Sequence, residues 1–140
     1  MTKQIKNQFG FTLVEVLVAV IILSVGLLGV AAMQTKSLKG GSSALHRTQA
    51  TLAAEDILDR MRVNRQAAID GEYDLALDDV APTAPFATLA LEDLAQWRES
   101  LTNNLPDGNG SVTVDSNIAT VVVTWRDSLA DDSIEVVTRL

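Results

Sequence analysis

The sequence predicts an α+β fold: a long N-terminal helix, apolar in its first half and amphipathic in its second, packed on a small C-terminal antiparallel β-sheet, with a second short helix between them. Three observations predict it. Residues 16–33 carry no charged side chain, apolar residues then recur at helical spacing to about Ala68, and the last third turns to β-branched residues in partial alternation between turn signals.

The first element begins at GFTLVEVLVAV, where Glu15 is the one carboxylate in an otherwise apolar run from Phe11 to Met33. A run of about 18 or more apolar residues is long enough to cross most of a hydrocarbon core about 30 Å thick. An ionised side chain at the centre of a membrane helix costs roughly 2.5–3.5 kcal/mol on insertion scales, so such a residue marks function and faces a partner. Gly26 and Gly29 lie three apart rather than four, which suits close helix approach without forming a GxxxG motif. A secretory signal peptide offers another reading, with Lys3 and Lys6 as the basic region and residues 30–32 as a small-residue cleavage site. Its apolar core would exceed the usual length of about 7–15 residues and would leave Glu15 unexplained. Orientation does not follow from charge, because Lys36, Lys39 and Arg47 flank the far end as Lys3 and Lys6 flank the near one.

Past Met33 an apolar stripe runs through Leu38, Leu45, Leu52, Ala54, Leu58 and Met61. Gly40, Gly41, Ser42 and Ser43 are its weak point, where a bend or local melting is expected. Arg60, Arg62 and Arg65 near the helix end complement its dipole on a solvated face, and Gly71 terminates the pattern. Residues 75–88, with Pro82 and Pro85, form a loop. A second helix covers residues 89–103, with Thr88 as N-cap and Leu91, Leu94, Trp97 and Leu101 facing the long helix. Strands follow at residues 111–115, 119–125 and 133–140, with DGNG at 107–110 and Ser116-Asn117 as turns.

Composition narrows the function. The net charge is −7, from 18 acidic residues against 11 lysines and arginines, which argues against a broad nucleic-acid footprint. Cysteine is absent, so disulfides and thiolate metal sites are excluded. His46 is the one histidine and is expected to be solvated; DGNG lacks the lysine of a phosphate loop. Asp127, Asp131 and Asp132 carry the oxygen ligands calcium prefers but not EF-hand spacing. No catalytic constellation and no cofactor is expected.

At GFTLVEVLVAV the chain resembles the N-terminus of type IV prepilins and type II secretion pseudopilins. The resemblance implies a basic leader over residues 1–10, cleavage after Gly10 by a dedicated inner-membrane peptidase, N-methylation of Phe11, and a role for Glu15 in assembly, where it meets the N-terminal amine of a neighbouring subunit. It implies a membrane and assembly helix over residues 11–33 and a soluble head over 34–140. Three further stretches, residues 49–74, 97–112 and VVVTW ending at Trp125, resemble the PilV type of minor pilin.

That resemblance implies a pilin-like fold and a minor pilin that primes type IV pilus assembly and contributes to the fibre tip. Its implied partners are other minor pilins, the major pilin, the prepilin peptidase, the inner-membrane assembly platform and a tip adhesin. Before assembly the chain is expected as a single-pass inner-membrane protein with its head in the periplasm, and afterwards in the pilus at the cell surface. Two rivals remain: a minor pseudopilin of a type II secretion system, and a membrane-tethered ligand-binding module.

Overall fold

A computed structural model describes residues 10–127 and 130–140; residues 1–9, with Lys3 and Lys6, lie outside the described residues. The elements are α1 (Leu13–Val63), α2 (Arg65–Ile69), α3 (Leu89–Asn104), β1 (Asn109–Asp115), β2 (Ile118–Arg126) and β3 (Asp131–Arg139). This is an α+β, pilin-like arrangement of a long N-terminal apolar helix, short helices and a three-stranded antiparallel sheet in the order β1-β2-β3. The chain divides into two compact units, Met1–Lys39 and Gly40–Leu140, and α1 contributes to both.

In the second unit the inward face of α1 is Ala50, Ala54, Ile57, Leu58 and Met61, all at or below 2 % exposure. The expected stripe is therefore corrected in part. Ala54, Leu58 and Met61 are core, but Leu38, Leu45 and Leu52 are exposed. At 3.6 residues per turn, Leu52 lies about 240° around the helix from Leu58, so the two belong to different faces. The same rotation turns His46 inward: its ring is half-buried and Nδ1 is shielded without a hydrogen-bond partner, contrary to the solvated histidine expected. Residues 40–43 are helical, within the continuous span of α1.

The expected single helix to Ala68 breaks at Asn64, whose φ of −107° and ψ of 49° leave helical geometry before α2 begins. The break turns the chain toward Tyr73, whose hydroxyl accepts from Asn64 Nδ2 (3.4 Å). Gly71, at φ 83°, then closes α2. Its N–H donates to Ala68 O (3.2 Å) and that of Glu72 to Ala67 O (3.0 Å), a Schellman pair in which glycine meets the left-handed conformation without a Cβ clash.

α3 starts where expected, with Thr88 Oγ1 accepting from Leu91 N (3.4 Å). Leu94, Trp97 and Leu101 are buried as expected, while Leu91 is half-buried and Ala90 takes an interior position. Trp97 Nε1 donates to Ala53 O of α1 (2.8 Å), which satisfies the indole inside the core. Arg98 is 8 % exposed and donates to Ala76 O (2.6 Å) and Asp79 O (3.3 Å), tying the 75–88 loop to α3. Burial holds its guanidinium below the usual arginine value, and the Asp79 charge offsets part of that.

The strands alternate as period two demands, with Ala119, Val121, Val123 and Trp125 of β2 inward. The β1–β2 turn is Ser116-Asn117, both with positive φ (49° and 73°), the two-residue geometry that matches strand twist. The DGNG turn is shorter than expected, since Asn109 and Gly110 already belong to β1. A Cβ on Gly110 would lie 2.5 Å from Trp97 Cη2 and 2.9 Å from Val122 O, so packing selects glycine here.

A polar network joins α1, α3 and the chain after α2. Tyr73 Oη donates to Asp93 Oδ2 (2.6 Å), and Arg60 donates to Asp93 Oδ1, Gln96 Oε1 and Asp56 Oδ2, each at 3.0 Å. The arginine cluster is thus paired rather than merely solvated: Arg62 holds Asp59 (2.5 Å) and Arg65 donates to Leu140 O (3.1 Å). Burial opposes the Arg60 charge, but Asp93 and Asp56 outweigh it and raise its pKa. For Tyr73, burial and then the bond to Asp93 push the phenol up to about 12. The fold therefore favours the neutral phenol, and this stability holds below pH ~10 and is lost as pH rises through about 12. It amounts to about 2–3 kcal/mol. Tyr73 is the one tyrosine, so absorbance at 295 nm reads it directly; the expected result is ionisation near pH 12 together with loss of stability, and Tyr73→Phe should remove that alkaline step.

Candidate functional site

The residues singled out by sequence lie at the start of α1. Gly10, Phe11 and Thr12 precede the helix, so the peptide bond after Gly10 is outside hydrogen-bonded secondary structure. Thr12 begins the helix: its carbonyl accepts from Glu15 N (3.1 Å) and Val16 N (3.3 Å), and its Oγ1 accepts from Glu15 N (3.3 Å). Thr12 was not singled out from the sequence, although Thr-x-x-Glu is the capping-box spacing and was there to be seen.

Glu15 falls in the first turn, where the positive end of the helix dipole favours a carboxylate. Phe11, Glu15, Val16, Ala19, Val20 and Leu23 line one shallow, mostly apolar furrow, which brings Phe11 and Glu15 to the same face of the stem. Gly10 stands apart from it. Phe11 is 84 % exposed, Glu15 is also exposed, and among the described residues Glu15 makes no ion pair.

Beyond this furrow every residue through Met33 is exposed, and by length and composition the helix can cross a membrane. Its hydroxyls are satisfied internally: Ser24 Oγ donates to Val20 O (2.7 Å) and Thr35 Oγ1 to Ala31 O (3.0 Å). That lowers the cost of a polar group in an apolar medium. Gly26 and Gly29 have open space around them, so a neighbouring backbone can come close.

The acidic loop residues are engaged elsewhere. Asp132 pairs with Arg47 (2.7 Å), Asp131 with Arg126 (3.6 Å), and Asp127 N–H donates to Ala130 O (3.0 Å). Among the described residues no group of three acidic, histidine or cysteine side chains is placed to hold a metal.

An exposed apolar helix led by a non-helical Gly-Phe junction, with one carboxylate in its first turn, has a known counterpart. Residues 5–31 match the prokaryotic N-terminal methylation motif. The match supports a type IV pilin-like protein. A pilin-like chain of this kind carries a leader that suggests processing by a prepilin peptidase, and its apolar helix fits membrane anchoring before assembly. The family of this motif is structural rather than catalytic. No curated protein and no solved structure matches the chain.

Proposed function

We propose that the chain is the precursor of a minor pilin of the PilV type, which helps prime a type IV pilus and takes a place in its tip complex. Residues 1–10 are the leader, 11–33 the membrane and assembly helix, and 34–140 the head, held in the periplasm until assembly. The peptidase cuts after Gly10, Phe11 is N-methylated, and Glu15 receives the ammonium of an adjacent subunit. The match over residues 5–31 supports the pilin-like part of this reading, because it covers the junction, the acid and most of the stem together; the PilV type and the tip role rest on the resemblance of residues 49–74 and 97–112.

Chemistry supports the division of roles. Cleavage creates an ammonium at the end of the helix where positive charge is unfavourable, and a carboxylate on the Phe11 face offsets it. Between apolar stems such a pair is strong, since little water screens it. Incorporation into fibres then depends on one charge in register.

Mass measurement and N-terminal sequencing of the membrane-extracted protein test the processing. The expected result is a chain beginning at methylated Phe11. A start at Met33 would mean an ordinary signal peptide, and an intact Met1 would mean no processing; either overturns the proposal. Deleting the gene separates pilus from secretion roles: surface fibres should be lost while exoprotein secretion continues. The reverse outcome would assign the chain to a type II system.

A further inference from the structure

The two edges of the sheet are treated differently. On β1 the outer edge is covered: Leu75 and Val112 exchange both backbone hydrogen bonds at 2.9 Å, and Asp74 Oδ1 accepts from Val114 N (2.9 Å). On β3 it is open. Leu140 N–H donates to Asn117 O (2.9 Å) and Asp127 N–H to Ala130 O (3.0 Å), and the register between these bonds pairs Ile118 with Arg139 and Val122 with Glu135. Because antiparallel ladders alternate, the N–H and C=O groups of Asp131, Ser133, Glu135, Val137 and Arg139 point away from β2. Ser133 N–H is already taken by Asp132 Oδ1 (2.9 Å), which leaves residues 135–139 as the free stretch. Beside it Glu55, Leu58, Asp59 and Arg62 of α1 line a groove with residues 136–138.

The side chains on this stretch are complementary to themselves when the strand is reversed about Val137. About Val137, Glu135 mirrors Arg139, Val136 mirrors Thr138, and Ile134 mirrors Leu140. We propose that β3 pairs with β3 of a second copy of this chain, edge to edge and antiparallel, about a two-fold axis through Val137. On the outer face the pairing sets each Glu135 opposite the other copy's Arg139 and covers Val137, which is 58 % exposed in the single chain. On the inner face it sets Ile134 against Leu140 and Val136 against Thr138, extending the half-buried rim of the core. Centring the pair on Glu135 places two carboxylates face to face, and centring it on Ser133 opposes Asp131 to Glu135. The Val137 register alone pairs both charges favourably.

Such a contact is self-complementary and closes at two copies, so it joins chains outside a fibre, or one fibre to another, and cannot propagate along a polar filament. The pairing itself does not depend on the proposed function; its place relative to a fibre rests on that reading.

Sedimentation equilibrium on the full chain in detergent tests it. The wild type should show a monomer–dimer equilibrium. Val137→Pro, which removes an outward-facing edge N–H that a folded edge strand can spare, should abolish the dimer with an unchanged far-ultraviolet spectrum. Glu135→Arg and Arg139→Glu should each weaken it by about tenfold or more, and the two together should restore it to within about threefold. A monomer at every concentration, a dimer indifferent to Val137→Pro, or single and double charge swaps that behave alike would each overturn the proposal. The charge-swap series decides the matter even if the proline variant does not fold.

Discussion

Replacing Glu15 with Gln is expected to leave the chain inserted and cleaved but to cut its incorporation into fibres by about tenfold or more, the scale of losing one charge-assisted contact. Glutamine keeps the size of the side chain and its place in the first turn, so the Thr12 cap and the apolar furrow with Phe11 are retained. What disappears is the charge that, in the proposed assembly, meets a neighbour's ammonium. Quantifying the variant in sheared fibres against its amount in the membrane fraction isolates that step. Glu15→Asp, which keeps the charge on a shorter arm, should fall between the two. Undiminished incorporation of the glutamine variant would show that the Glu15 charge plays no part in assembly.

Asp93→Ala is expected to destabilise the head by about 2–4 kcal/mol, the range for removing a partner from a buried polar group. The carboxylate is 9 % exposed and accepts from two elements at once, Tyr73 Oη at 2.6 Å and Arg60 Nη1 at 3.0 Å. Without it Tyr73 keeps the long contact to Asn64 (3.4 Å), and Arg60 keeps Asp56 and Gln96. The midpoint of urea unfolding should fall with an unchanged slope, because the exposed surface on unfolding is the same. Asp93→Asn, which can still accept from Tyr73 but carries no charge for Arg60, should cost less. Equal losses in the two variants would mean that packing, not hydrogen bonding, holds this corner.

The elements legible in sequence were those whose signals are local. Thr88 caps α3 because its side chain reaches a backbone group three residues away, and the Ser116-Asn117 turn needs positive φ at two adjacent positions. Both depend on short-range geometry that a sequence displays directly. Of the candidate site, Glu15 was visible as a charged residue in an uncharged run, and Gly10 and Phe11 through the resemblance of GFTLVEVLVAV to prepilins. Thr12 was equally visible and was passed over.

Other features escaped because they depend on which faces meet. The stripe merged Leu45 and Leu52 with Ala54, Leu58 and Met61, since leucines seven apart look like one line until a core selects the side that is buried. His46 turned inward by the same rotation. The strand bounds missed Asn109 and Gly110, because a glycine pressed beneath Trp97 looks in sequence like any turn glycine.

By itself the sequence determined the apolar stem, the Gly10-Phe11 junction, the acid at Glu15 and the change from helical to strand period, because each is a property of neighbours along the chain. Only the tertiary structure decided that Asp93 joins Tyr73 to Arg60 and that one sheet edge is covered while the other is open. Those facts belong to residues 20 and 33 positions apart, and to a strand whose outward groups are known only once its partner and register are fixed.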